Sequence, residues 1–376
     1  LGIESAFLRK LPGLIFLLAG ILSLLFLGRR FNVQTKTTRT ILAIYAIPSL
    51  MLGFDVIKHP PPAVGEVLSR IGAVLTFWGW LMTFSAIVFY LRDRLPRKFS
   101  EDRRLFLNAS AATLCAAPAV ALCTGMIIRK DFFINEFDLR IPNLPKDLQG
   151  LRLLQLSDIH MGAFYSRYDL RRVVDASNNL RADLAFITGD MITVKEDPLD
   201  DCLLELKRLK ANSGIWGCMG NHEKLAEISA YAQKKGLEMG IRFLRRQQDR
   251  VKFGNSSINL VGVDHQFKSE GYLVGLDKLV EKDKFNLLLS HNPDVFPVAA
   301  AQGWDLTLAG HTHGGQINLE VAHQNINIVD LVTPYTKGLY QKPDSSIYVT
   351  SGLGTIGVPV RLGAPPEITL IRLCAS

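Results

Sequence analysis

Five of the chain's eight histidines follow short apolar runs, and each has an aspartate, an asparagine or another histidine close by. Asp158 and His160 follow Leu151–Leu156, and Asp190 follows the run that begins at Leu184. Asn221, His222 and Glu223 come after Ile215–Met219, and His291 after Phe285–Leu289. His311 and His313 stand at i and i+2 in the glycine-rich turn after Leu306–Ala309. Imidazole nitrogens mixed with carboxylate and carboxamide oxygens suit Zn²⁺, Mn²⁺ or Fe²⁺, whereas a purely carboxylate set would suit Mg²⁺ or Ca²⁺. There are enough donors for two ions. Two ions about 3.5–4 Å apart can share a carboxylate and a hydroxide, which makes a nucleophile at neutral pH and clamps a phosphoryl group for in-line attack.

Donors so far apart in sequence need a scaffold that gathers them. From Ile134 onward, short apolar runs alternate with charged, amphipathic stretches, the pattern of strands interleaved with helices in an α/β domain. Strands are predicted at 134–141, 152–156, 184–188, 215–219, 258–263, 285–289, 306–309, 346–350 and 367–373, and helices at 167–178, 198–210, 223–235 and 293–302. Every donor then lies just past the carboxyl end of a strand, the edge where loops of layered α/β folds converge on ligands.

Residues 1–130 differ in texture. Four apolar segments, Leu11–Leu27, Thr40–Ile57, Ile71–Leu91 and Leu105–Ile128, have roughly the length needed to cross a hydrocarbon core of about 30 Å, so four transmembrane helices are predicted. This divides the chain into a membrane region, 1–130, and a catalytic domain, 131–376. Lysine and arginine concentrate in the Arg29–Arg39 and Arg92–Arg104 loops, which places those loops in the cytoplasm and the large domain outside. The expectation is a multi-pass protein of the plasma or inner membrane with an extracytoplasmic domain held near the bilayer. The chain's net charge of +8 arises in residues 1–130, and the remainder is close to neutral. That speaks against a nucleic-acid partner, which needs a basic face on the folded domain. The five cysteines contain no CxxC and show no disulfide framework.

Asp158-x-His160, Gly189-Asp190, Gly220-Asn221-His222-Glu223, His291 and Gly310-His311-Thr312-His313 resemble, in order, spacing and residue type, the five motifs of the calcineurin-like metallophosphoesterase superfamily. The stretch Gly352–Glu367 is similar to the ending of its bacterial membrane-associated branch, which includes lipid-related phosphodiesterases like those that cleave UDP-diacylglucosamine. The resemblance implies a four-layer αββα metallophosphoesterase sandwich and a metal-dependent phosphoric ester hydrolase, a phosphodiesterase before a monoesterase. It implies two divalent ions (Mn, Zn or Fe), with Asp158, His160 and His313 on the first, Asn221, His291 and His311 on the second, and Asp190 bridging them. His222 would be catalytic without ligating, stabilising phosphoryl oxygens or protonating the leaving oxygen, with Glu223 either orienting it or serving only as a dipole partner in a first helical turn. A metal-bridging hydroxide would attack phosphorus in a lipid or other membrane-proximal phosphoester.

Asp264 and His265 read equally as pocket lining or as a solvent-facing turn pair, and Arg361 as a phosphate contact or a structural ion pair. Phe164, Tyr165 and Tyr168 read as helix packing before an acyl-chain site. The competing function is a non-catalytic membrane sensor built on the same fold, since a fold alone does not establish activity.

Overall fold

Leu153, Leu184 and Phe186 belong to one buried apolar cluster, and their chain neighbours Leu154, Ala185 and Ile187 to another. Successive strand residues face opposite ways, so strands buried on both faces lie inside a stack of layers. The structure, a computed structural model, describes residues 19–30, 32, 79, 81–94 and 101–376 except 322 and 323. Contacts divide the chain into Leu1–Thr124 and Gly125–Ser376.

The second unit contains two six-stranded sheets. The first runs β1 (Phe133–Ile141), β14 (Glu367–Ala375), β2 (Arg152–Leu156), β3 (Ala182–Thr188), β4 (Ala211–Cys218) and β5 (Ile241–Phe243). Here β2 to β5 are parallel, and β14 is antiparallel to β2. The second sheet runs β12 (Gly338–Lys342), β13 (Ser345–Val349), β9 (Leu306–Ala309), β8 (Phe285–Ser290), β7 (Ser256–Val263) and β6 (Gln247–Phe253). Its four inner strands are parallel and its two edge strands antiparallel. A small hairpin, β10 (Asn318–Val321) with β11 (Gln324–Asn327), stands apart from both.

One core cluster draws on both sheets, joining Leu153, Phe186 and Trp216 to Leu260, Leu287 and Leu308, so the sheets pack face to face. On the other side of the first sheet lie α2 (Arg167–Asn178), α3 (Leu199–Leu206) and α5 (Ser229–Glu238), which contribute Val173, Leu203 and Ala232. The other side of the second sheet is covered by α6 (Phe296–Gln302) and the loop around Leu273. Helix α2 starts where the Ser166 hydroxyl accepts from the Asp169 N–H and the Asp169 carboxylate accepts from the Ser166 N–H. Such a reciprocal cap satisfies donors that the first helical turn leaves unpaired. The helix predicted over 223–235 is two: α4 (Asn221–Leu225) stops and α5 begins after Glu227, whose φ of 58° interrupts the helix.

In the first unit, stretches 19–30 and 81–93 are helical, and the Arg30 guanidinium meets the Asp93 carboxylate at 2.7 Å. Helix α1 (Glu101–Ile128) follows. The expectation of a multi-pass membrane protein is not upheld, because among the described residues no helix is long and apolar enough to cross a membrane. Helix α1 is longer than the 19–30 and 81–93 stretches and opens on Glu101-Asp-Arg-Arg. The predicted span Thr40–Ile57 lies outside the described residues, as do parts of Leu11–Leu27 and Ile71–Leu91.

Helices α2 and α3 are joined by one buried carboxylate. Glu205 of α3 accepts from Arg171 at 2.9 Å, Arg167 at 2.7 Å and Arg208 at 2.8 Å. Arg171, helped by Arg167 and Arg208 and opposed by burial, lowers the Glu205 pKa to about 2. A carboxyl with a depressed native pKa stabilises the fold above its unfolded value and loses that contribution as pH falls toward the native one. Glu205→Gln is therefore expected to cost about 1–2 kcal/mol at pH 7, a figure that allows for solvent screening of the half-exposed arginines. Urea melts should show the deficit shrinking from about pH 4.5 down to pH 2.

Candidate metal centre

The parallel strands deliver their following loops to one edge. Asp158 and His160 come just after β2, Asp190 after β3, Asn221 and His222 after β4, His291 after β8, and His311 and His313 after β9. Asp158, His160, Asp190, His311 and His313 have φ between 46° and 75°, in the left-handed region. Non-glycine residues adopt it at a cost of about 1 kcal/mol or more, so the surrounding structure must hold them there.

The side chains form overlapping groups. Asp158, His160 and His313 make one, with His160 Nε2 3.1 Å from His313 Nε2 and Asp158 Oδ1 3.4 Å from that same nitrogen. Asp158, Asp190 and His291 make a second. Asp190 Oδ2 lies 3.1 Å from His291 Nε2 and 3.6 Å from His160 Nε2, between the two sets. A third group joins His291, His311 and His265. His222 sits on the half-buried rim, its ring edge-on to His160 with centroids 4.8 Å apart.

Three of the imidazoles are aimed from behind. His291 Nδ1 lies 2.6 Å from the Thr188 carbonyl, so it donates there and leaves Nε2 as the free donor. His222 Nδ1 is held the same way by the Thr193 carbonyl, also at 2.6 Å, and the Thr193 hydroxyl meets His160 Nδ1 at 3.0 Å. Sequence reasoning passed over Thr193, which carries no motif signature and works largely through its backbone.

Burial decides the protonation states. It lowers the His160 pKa to about 3 and that of His311 to about 4, keeping both rings neutral as ligands must be. Burial also pushes Asp158 up to about 6 against the pull of His291. At His291 burial acts downward, but the carboxylates of Asp190 and Asp158 outweigh it and raise the pKa to about 10. Burial works to raise the Asp190 carboxyl as well, yet His291, His160 and His222 hold it well below the ordinary carboxylate range.

Two buried atoms show that the donor set fits a cation. Asn221 Oδ1 and His291 Nε2 accept no hydrogen bond, although buried polar atoms rarely go without. Asn221 Oδ1 offers a lone pair that a divalent ion would satisfy, and His291 Nε2 offers one once it gives up its proton. Asp158, His160, Asp190, His291 and His313 are buried, while Asn221, His222 and His311 are half-buried and form the open side.

Glu223 does not orient His222. Its carboxylate turns inward and accepts from the backbone N–H groups of Gly220 (2.9 Å), Asp190 (3.0 Å) and Met191 (2.6 Å), tying the β3 and β4 loops together. Arg361 was read as a phosphate contact or a structural ion pair, and among the described residues it forms no ion pair. It is buried, donating to the carbonyls of Gly354, Ala364 and Ser351, with one nitrogen 3.3 Å from His313 Nδ1. The pair after β7 divides: Asp264 faces outward in a bidentate bridge with Arg245, and His265 turns in. Tyr165 is buried in the core and Tyr168 is largely exposed, while Phe164 is half-buried.

The approach of the β4 loop to Asp190 requires glycine, because a Cβ at Gly220 would lie 2.0 Å from Asp190 Oδ1. Gly220→Ala should lower divalent-ion affinity at least tenfold in calorimetry, from displacement of the shared carboxylate. Glu223→Ala should destabilise the chain by about 3 kcal/mol or more by leaving three buried N–H groups unpaired, read as a lower urea midpoint.

Residues 151–315 match the family model described as calcineurin-like phosphoesterase. A Danio rerio protein described as a transmembrane protein with metallophosphoesterase domain is 31% identical over 316 residues, covering 78% of this chain and 70% of its own. A Helicobacter pylori metallophosphoesterase is 31% identical over 252 residues, 64% of this chain, and the chain spans 63% of that protein's length. The Bacillus subtilis metallophosphoesterase YkuE is 28% identical over 247 residues, covering 64% of this chain and 84% of its own. Motif order, the two-sheet α/β fold and these relatives agree that the chain belongs to the calcineurin-like phosphoesterase family.

Proposed function

We propose that this chain is a dinuclear metal-dependent phosphodiesterase. The observation that carries the reading is the position of Asp190, whose Oδ2 lies between His160 and His291 and so within reach of both donor sets. Asp158, His160 and His313 would hold one ion, Asn221, His291 and His311 the other, and Asp190 both. Two divalent ions bound there supply positive charge for the phosphoryl oxygens and an activated water. Every other contribution comes from side chains of this chain. His222, held through Nδ1 by the Thr193 carbonyl, presents Nε2 on the open side, placed to bond a phosphoryl oxygen or to hand a proton to the leaving oxygen. The buried side of the site, closed by Arg361 and the β13 to β14 loop, excludes water behind the donors.

A cavity of about 400 Å³ next to His311 and His313, lined also by Pro293, Ile317, Val329, Val332 and Ile356, supports a substrate with an apolar ester arm, as a lipid-linked phosphodiester would have. The near-neutral charge of residues 131–376 gives no basic track for nucleic acid. A non-catalytic sensor is the weaker reading, because nothing in such a role calls for His222 to be aimed beside a full donor set.

The test is hydrolysis of an aryl phosphodiester and the matching monoester by the chelator-stripped chain, titrated with Mn²⁺, Zn²⁺ and Fe²⁺. Metal should restore turnover with the diester preferred. His222→Ala is expected to cut kcat about 10²–10⁴-fold with metal content unchanged, and Asn221→Ala to lose activity together with the second ion. A folded chain that binds two ions and turns over neither ester would sink the enzyme reading in favour of the sensor. In the same assay Val332→Asp should raise KM for long-chain diesters while leaving the short aryl diester unaffected.

A further inference from the structure

We infer that His265 is an additional ligand of the second metal ion, beside Asn221, His291 and His311. This rests on the dinuclear reading and adds to the family's motif set a donor from outside it.

Where β7 ends at Val263, the next two side chains part, with Asp264 turned out to Arg245 and His265 turned into the donor cluster. His265 is only 4% exposed. Its ring centroid lies 4.9 Å from that of His311 and 5.9 Å from that of His291, and the three rings each offer a nitrogen within 4.8 Å of the others. Its Nδ1 is buried with no hydrogen-bond partner. Leaving such an atom unsatisfied costs about 1–3 kcal/mol. Asn221 Oδ1 and His291 Nε2 carry the same signature, and both belong to the second ion's set. A third unpartnered buried atom in that company is accounted for by the same cation.

The backbone holds His265 for this. Its N–H donates to the Met219 carbonyl at 3.0 Å, just before Gly220-Asn221, so the His265 loop and the Asn221 turn are fastened together. The His265 carbonyl accepts from Lys224 Nζ at 3.2 Å, and that ammonium also grips Glu270 at 2.8 Å and lies over the Phe267 ring. Phe267 in turn packs edge-on against His265, 4.9 Å between centroids. The ring is thus clamped on its outer side and open toward His291 and His311.

The experiment measures metal binding. Chelator competition and Co²⁺ absorption spectra would be recorded for the full chain and for His265→Ala and His265→Phe. The first ion should bind as in the wild type, and the second at least tenfold more weakly, with its Co²⁺ ligand-field bands shifted. Because Nδ1 is unpaired without metal, His265→Phe should match or exceed the wild type in melting temperature when metal-free, which a structural role for the imidazole would not allow. Added imidazole should partly restore the second ion in His265→Ala. Two ions bound at wild-type affinity with unshifted bands in both variants would overturn the assignment alone. A wild-type chain that binds a single ion would overturn the dinuclear reading and the assignment with it.

Discussion

Two carboxylates and several imidazoles occupy one buried space, and the rest of this fold is arranged around that crowding. Unpaired charge in a protein interior is expensive, and groups commonly neutralise rather than remain ionised. The cluster follows the rule only in part. Burial keeps His160, His265 and His311 neutral, while His291 holds its proton against burial because Asp190 and Asp158 flank it. A proton on His291 does, poorly, what divalent cations between the donors would do well: it places one positive charge among lone pairs that extend beyond its reach, leaving Asn221 Oδ1 with no partner.

Bringing such a cluster together demands strain in the donors themselves. Five donor residues have left-handed φ values, and the loops that carry them are tied by groups that never touch a substrate. Glu223 gathers three N–H groups from two loops, and Arg361 gathers carbonyls from the β13 to β14 loop behind His313. Each is a buried charge whose hydrogen-bonding capacity is largely met by backbone, the condition under which burying one is tolerable. Rigidity of this kind fits a site whose donors must meet ions at fixed distances.

The inner strands and the donors at their ends were legible in the sequence because both depend on local pattern. Arg152–Leu156 and Leu306–Ala309 are observed as expected, since a strand buried on both faces is a short, nearly continuous apolar run. Three of the four sheet edges were not legible, β1 being the exception. β5, β6 and β12 were missed: Gln247–Phe253 reads Gln-Gln-Asp-Arg-Val-Lys-Phe, and such a strand exists only because β7 offers it a ladder. Glu223 and Arg361 were left open for a related reason. A charged residue beside a metal motif suggests substrate, and only the tertiary structure shows that backbone groups claim it first. The membrane spans failed differently, since apolar content within a window does not establish a helix both long and apolar enough to cross a bilayer.

The same contrast explains why His265 was ambiguous. A histidine after an aspartate at a strand end fits a solvent-facing turn as well as a ligand, and Asp264 does take the turn role with Arg245. Both lie just past the end of β7 at Val263, beyond its register with β8, so strand alternation does not assign their directions. What separates the two neighbours is what the loop meets: Arg245 claims the Asp264 carboxylate, while the bond from the His265 N–H to the Met219 carbonyl fastens its loop to the Asn221 turn and brings the ring beside His291 and His311. Those tertiary partners, and not the local sequence, decide whether a loop residue forms a surface bridge or adds a lone pair to the site.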